Sequence, residues 1–193
     1  MNFLAHLALS GENPDILVGN LMGDFVKGRL GGCYPAEVRL GLQLHRKIDR
    51  FAEDNRHFIR SRYRLDRRFG LFRGALVDLF YDHFLARNWR LYHAEPLVPF
   101  IRHCHGIVET YRQILPEPLA QRLPELFGNW LPSYAEVEGI DGVLKRMSAR
   151  FSRPNPLAGG ADELERHYPV LEDDFLLFYP ELQHHVADLL RMG

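Results

Sequence analysis

Residues 71–87 read LFRGALVDLFYDHFLAR. Apolar residues recur at a helical period through Leu76, Phe80 and Leu85, without the strict alternation of a half-buried strand. Gly70 stands just before the stretch as a breaker. The pattern predicts a strongly apolar helix from about Leu71 to Arg87. That helix nevertheless carries Asp78, Asp82 and His83. Ionisable groups among apolar neighbours are costly unless they are paired, hydrogen-bonded or bound to a metal.

The rest of the chain reads in the same helical period. Asn13-Pro14 combines an N-cap with a first-turn proline, and Ile16, Leu17, Leu21 and Phe25 continue a helix to about Lys27, ending near Gly28. Gly31-Gly32 is expected to be a loop. Pro35 opens a second helix, to about Asn55, with Val38, Leu42, Ile48 and Phe51 on its apolar side. A short basic helix follows through Arg68. Further helices are expected at 97–115, 118–131, 136–150 and 170–191, punctuated by prolines, and Pro180 is expected to kink or break the last. SRPNPLAGG at 152–160 is the best linker candidate, but the 33 residues after it are too few for a domain. The expected fold class is all-α, a single helical bundle spanning residues 1–193.

Composition narrows the class. With 193 residues and 46% hydrophobic residues, the chain can bury a core without disulfide or metal staples. Cys33 and Cys104 form neither a zinc spacing nor a disulfide framework, which suits a reducing cytoplasm. The N-terminal MNFLAHLALSGENPD lacks a basic n-region, and no run approaches the roughly 18 apolar residues of a membrane span. The net charge of -1 hides an asymmetry. Residues 27–73 carry 13 Lys/Arg against 5 Asp/Glu, whereas residues 74–193 carry 11 against 17. Such a basic segment is either a solvated, internally paired helix face or a surface for an acidic partner.

Two motifs carry chemistry. In HRKID, residues 45–49, His45 and Asp49 are four apart and share a helix face. In DLFYDHF, residues 78–84, Asp78 and Asp82 are also four apart, with His83 next. Either pair alone is what an ordinary helix surface also shows. Together, on apolar helices, they suit a metal enclosed between helices, with imidazole and carboxylate donors of the kind that hold Mn, Fe, Zn or Mg. His6 in NFLAHL and Asp24 in GNLMGDFVKG are further candidates, as a core histidine or ligand and as a surface or site carboxylate. Gly19 and Gly23, four apart, permit a close backbone approach. Arg46 has the planar fork that grips phosphate oxygens, or it is a solvent-facing arginine.

MNFLAHL at the start, GNLMGDFVKG at 19–28, LHRKID at 44–49 and YDHFLARNW at 81–89 together resemble the acyl carrier protein phosphodiesterase family. WLPSY at 130–134, GIDGVLKRMSAR at 139–150 and FYPEL near the end extend the resemblance over essentially the whole chain. It implies an HD-domain-like, all-helical metal phosphohydrolase that cuts 4′-phosphopantetheine from a serine of holo-acyl carrier protein, using a divalent ion, typically manganese. It places His6, Asp24, His45, Asp49, Asp78, Asp82 and His83 in matching motifs. The adjacent His-Asp ligand pair of the wider HD group is not present in that order: Arg46 follows His45, and Asp82 precedes His83. The expected metal ligands are His6, His45, Asp78, Asp82 and His83. Asp24 or Asp49 is expected to take the proton of the attacking water, and Arg46 to hold phosphate. Acyl carrier proteins are small and strongly acidic, so Arg56, Arg60, Arg62, Arg64, Arg67 and Arg68 are the expected docking residues. The rival readings are a related hydrolase acting on a nucleotide or small phosphoester, and a non-catalytic helical module binding an acidic partner. Nucleic acid fits less well, since the arginines lack a recognised nucleic-acid-binding frame. No membrane partner is expected.

Overall fold

The structure, a computed structural model, describes residues 1–30 and 32–192, with nothing described for the side chain of Met192. Gly31, half of the expected Gly31-Gly32 loop, lies outside the described residues. In chain order the helices are α1 (Phe3–Ala8), α2 (Pro14–Met22), α3 (Ala36–Asp54), α4 (Arg56–Arg64), α5 (Phe72–Arg87), α6 (Leu97–Thr110), α7 (Glu117–Ala120), α8 (Leu123–Glu125), α9 (Leu131–Ser133), α10 (Val137–Ser148), α11 (Ala161–Arg166) and α12 (Tyr168–Met192). The described residues contain no strand, and no helix among them is long and apolar enough to cross a membrane.

α5 is the central element. Leu76, Val77, Leu79, Phe80, Tyr81, Phe84 and Leu85 are all fully buried, so it is covered on every side. α1, α4, α10 and α12 pack around it. The aromatic rings of Tyr81, Phe84, Phe175 and Phe178 interlock between α5 and α12, with centroids 5.0–5.9 Å apart. One continuous core runs from Met1 to Val186.

The α2–α3 hairpin frames one wall of the site. Asn13 caps α2 by accepting from the amides of Asp15 and Ile16, as its sequence predicts. α2 and α3 meet glycine to glycine. A Cβ on Gly19 would lie 2.1 Å from the Val38 carbonyl oxygen, and one on Gly41 would lie 2.3 Å from that of Ile16. Backbone leaves no soft neighbour to yield. Gly41→Ala is therefore expected to destabilise the fold, because overpacking of about 1–3 kcal/mol or more exceeds the ~1 kcal/mol gain in helix propensity. Urea unfolding measures this directly, and an unchanged midpoint would contradict the close approach.

Several sequence expectations need correction. α2 stops at Met22, and Gly23–Phe25 forms a 3-10 turn, so the expected helix to Lys27 is cut short where Gly23 faces His45. The helix expected over 118–131 is a chain of short pieces. Pro118, Pro124 and Pro132 each sit in the first turn of one, and Leu126–Trp130 is a π-helical turn. α12 runs through Pro180 without ending, its apolar side anchored by Phe175, Phe178, Tyr179 and Leu182, all with no exposure. The 152–160 stretch is not a spacer: Leu157 is buried, and a Cβ on Gly160 would strike Leu76 and Leu144.

Candidate active site

The site forms where α1, the end of α2 and α3 meet at the N-terminal half of α5. His45 and Asp49, one turn apart on α3, reach it as their spacing predicts. His6 comes from α1. Its ring stacks on that of His45, with centroids 3.9 Å apart and planes 16° from parallel. Nε2 of His6 lies 3.3 Å from one Asp49 oxygen, and Nε2 of His45 lies 3.1 Å from the other. Asp24 Oδ1, from the 3-10 turn, lies 3.7 Å from His45 Nε2. Donor atoms of His6, His45 and Asp49 fall within 4.8 Å of one another, which is close enough to hold a metal ion. The missing side chain of Gly23 makes the room: a Cβ there would lie 2.0 Å from the His45 ring.

Asn20 fixes both rings. Nδ1 of His6 donates to Asn20 Oδ1 at 2.8 Å, and Nδ1 of His45 donates to the Asn20 carbonyl at 2.8 Å. Both acceptors are oxygens, so each Nδ1 carries a proton and each Nε2 faces the Asp49 carboxylate, His6 Nε2 also lying 3.2 Å from the Met1 carbonyl. The Asn20 amide nitrogen donates to the His6 carbonyl and to Ser10 Oγ, which sets its own orientation. A ligating histidine whose second nitrogen is held in this way has a fixed tautomer and direction. Sequence reasoning missed Asn20. The only signal was its place beside the glycines of GNLMGD. Asn20→Ala is expected to weaken metal binding roughly 10- to 100-fold. Calorimetric titration with Mn²⁺ measures it, and wild-type affinity would refute the role.

The charges agree with this arrangement. Burial, and then the charge of His45, push the pKa of His6 down to about 4, so His6 is neutral. Burial also opposes charge on His45, but the Asp24 and Asp49 carboxylates facing its Nε2 outweigh it and lift its pKa to about 9. Burial works against Asp49 as well, yet bonds to His45 and His6 hold its carboxyl well below the usual range. The Nε2 side of His45 thus calls for a cation, either a proton or a metal in competition with it.

Asp78 completes the acidic rim. The Met1 amine nitrogen lies 2.8 Å from Asp78 and 3.2 Å from Asp49, so a positive group bridges the two carboxylates. Burial raises the Asp78 pKa despite this amine. Asp24, Asp49 and Asp78 face a cleft of about 540 Å³ whose lining also includes Arg62, Tyr63 and Arg73. The guanidinium carbons of Arg62 and Arg73 lie 5.7 and 5.8 Å from the Tyr63 ring centroid.

Other expected site residues are placed elsewhere. Asp82 is fully buried and accepts from the amides of Leu4 and Ala5 at 2.7 and 3.1 Å, so it caps α1 instead of facing the donor cluster. His83 points away: Nδ1 bonds the Tyr134 carbonyl and Nε2 the Tyr168 hydroxyl, at 2.8 and 2.9 Å. Five positions apart on a helix, Asp78 and His83 project about 140° from one another, so they cannot share one ion here. Arg46 donates to the carbonyls of Val26 and Gly28 at 3.1 and 2.7 Å, holding the loop after Asp24 and not the cleft. The basic run also divides. Arg60 and Arg64 pair with the buried Asp174, and Arg56 lies 3.7 Å from Glu181, tying α4 to α12. Arg67 and Arg68 are exposed in the turn after α4, and Arg62 alone of the six lines the cleft.

Comparison with known proteins places this geometry in a family. The family model described as acyl carrier protein phosphodiesterase matches residues 1–182. The chain is similar to the acyl carrier protein phosphodiesterase of Photorhabdus laumondii, 35% identical over 182 residues that cover 93% of this chain and 92% of that one. The proteins of the same name from Pectobacterium atrosepticum and Yersinia pestis are each 34% identical, covering 94% of this chain and 95% of theirs. No solved structure gives a match. A full-length match of this kind, on a chain where His6, Asp24, His45, Asp49 and Asp78 come together at one site, means that the chain belongs to the acyl carrier protein phosphodiesterase family.

Proposed function

We propose that the chain is a metal-dependent, HD-domain-like phosphodiesterase. It hydrolyses the bond between 4′-phosphopantetheine and a serine of holo-acyl carrier protein, releasing apo-acyl carrier protein and 4′-phosphopantetheine. The observation that carries the chemistry is the convergence of two oriented histidine Nε2 atoms on Asp49 at the base of an acidic cleft. The relatives' name supplies the substrate.

His6, His45 and Asp49 hold the ion in this reading, with Asp78 beside them. Manganese is the expected ion, with iron, magnesium and zinc as alternatives. A divalent ion bound there supplies Lewis acidity and acidifies water at neutral pH. Asp24 takes the proton of the attacking water. Burial opposes its charge, but the His45 imidazole beside it keeps its pKa below the ordinary value, and it is half exposed toward the cleft. Arg62 and Arg73, braced on Tyr63, face the phosphoryl oxygens or the pantetheine arm and offset charge that grows in the transition state. The free cysteines at 33 and 104 support a cytoplasmic setting.

A panel of holo-acyl carrier protein, cyclic nucleotides and nucleotide diesters, with Mn²⁺ present, tests the substrate. Turnover of the carrier protein alone is expected. Comparable kcat/KM on a nucleotide would replace this assignment with the small-phosphoester reading.

A further inference from the structure

The arginines expected to dock an acidic partner are largely committed to α12, while three others gather beside the cleft. Arg122 lies with its guanidinium carbon 5.4 Å from the Phe25 ring centroid, next to Asp24 in sequence. Arg150 and Arg146 lie 4.9 and 5.9 Å from the two-ring system of Trp130. The group has one acidic partner, Glu125, 3.4 Å from Arg146. Burial, then repulsion from Arg122, lowers the pKa of Arg150, with attraction from Glu125 working against repulsion from Arg146. Met147, between Arg146 and Arg150, lines the cleft with Asp24, Asp49 and Asp78. The three arginines stand outside the cleft lining, and Met147 and Leu71 connect their surface to it.

Exposed apolar side chains adjoin it. Phe151 follows Arg150 directly and is 51% exposed. Its ring meets that of Phe72 edge-on at 5.3 Å. Leu71, beside Phe72, is completely exposed and lines the cleft mouth. Apolar residues with basic neighbours, at the edge of a catalytic cleft, match the make-up of a protein-docking surface.

We propose that Arg122, Arg146 and Arg150, with Phe151 and Leu71, form the docking surface for the acidic carrier protein. The Arg56–Arg68 run is not that surface. This rests on the function proposed above and adds the surface that function uses. Three guanidinium groups opposed by one carboxylate complement a strongly acidic partner, and the cluster's position presents the partner's prosthetic arm to the cleft. Complementary charge of this kind acts mainly on encounter and selectivity.

The test compares Arg122→Glu/Arg150→Glu with the charge-matched control Arg67→Glu/Arg68→Glu. Two readouts are used with Mn²⁺ present: steady-state kinetics on holo-acyl carrier protein, and calorimetric affinity for apo-acyl carrier protein, which lacks the scissile bond. The first double variant is expected to raise KM and weaken apo-protein binding by roughly tenfold or more, with kcat nearly unchanged. The control is expected to stay within about threefold on both. Turnover of bis(p-nitrophenyl) phosphate checks that the site is intact. If the reversal damages folding, Arg122→Gln/Arg150→Gln is expected to give the same pattern at smaller size. Unchanged KM and affinity, or an equal effect in the control, would overturn the surface. Binding of apo-carrier protein by the wild type without turnover of the holo form would instead overturn the function and leave the surface standing.

Discussion

His45→Ala is expected to abolish phosphodiester hydrolysis, with kcat falling roughly a thousandfold or more and stoichiometric metal lost. The size follows from what the ring does. It presents Nε2 to Asp49 and Asp24, stacks on His6, and is aimed by the Asn20 carbonyl. Its removal takes one donor away and strips Asp24 and Asp49 of the imidazole that faces both. His83→Ala is the informative contrast. That imidazole is equally buried but bonds Tyr134 and Tyr168. Its loss is expected to cost about 1–3 kcal/mol of stability, from the orphaned partners, while folded protein keeps its metal. Metal content by mass spectrometry and kcat measured on the same samples decide the matter. Equal loss of metal in the two variants would contradict the placement of His83 outside the site.

Asp82→Ala is expected to be the most destabilising of the site-region substitutions, at roughly 2–5 kcal/mol. The carboxylate satisfies the Leu4 and Ala5 amides at the start of α1, with no exposure to water. Alanine would leave both donors buried and unpaired. Because α1 carries His6, metal affinity should fall with stability. Asp82→Asn keeps one acceptor oxygen and should recover part of the stability and most of the metal binding. A ligand role predicts the opposite order, with the amide as damaging to metal binding as alanine. Chemical denaturation and Mn²⁺ titration of both variants separate the two.

These expectations mark what the sequence could carry. Helical periodicity and proline punctuation located the long helices α3, α5 and α6 closely, because each is long enough to show its period. α1 was not legible. At six residues it is too short for a period to show, and Asp82, which joins the local cap Asn2 in satisfying its first amides, lies 78 positions from Leu4. The same distance explains the misreading of Asp82, whose apolar context announces a satisfied buried carboxylate but not its partner. The i,i+4 pair of His45 and Asp49 was legible because a helix fixes it locally. Convergence of Asp24 and His6 on that pair is a tertiary fact, and the match of motifs pointed to it where spacing could not. Charge counting found a basic segment but not its direction: Arg60 and Arg64 face Asp174, while arginines 122, 146 and 150 face Glu125 as their one carboxylate within 4 Å among the described residues.

In the proposed function the His6–His45–Asp49 cluster serves metal-dependent release of phosphopantetheine. Its most direct test is the intact mass of holo-acyl carrier protein after incubation with the purified protein, first stripped by chelator and then resupplied with Mn²⁺. No change is expected in the stripped sample, and full conversion to the apo mass with free 4′-phosphopantetheine is expected once Mn²⁺ is restored. Holo-carrier protein that keeps its mass in the presence of Mn²⁺, or conversion that proceeds undiminished under chelator, would contradict it.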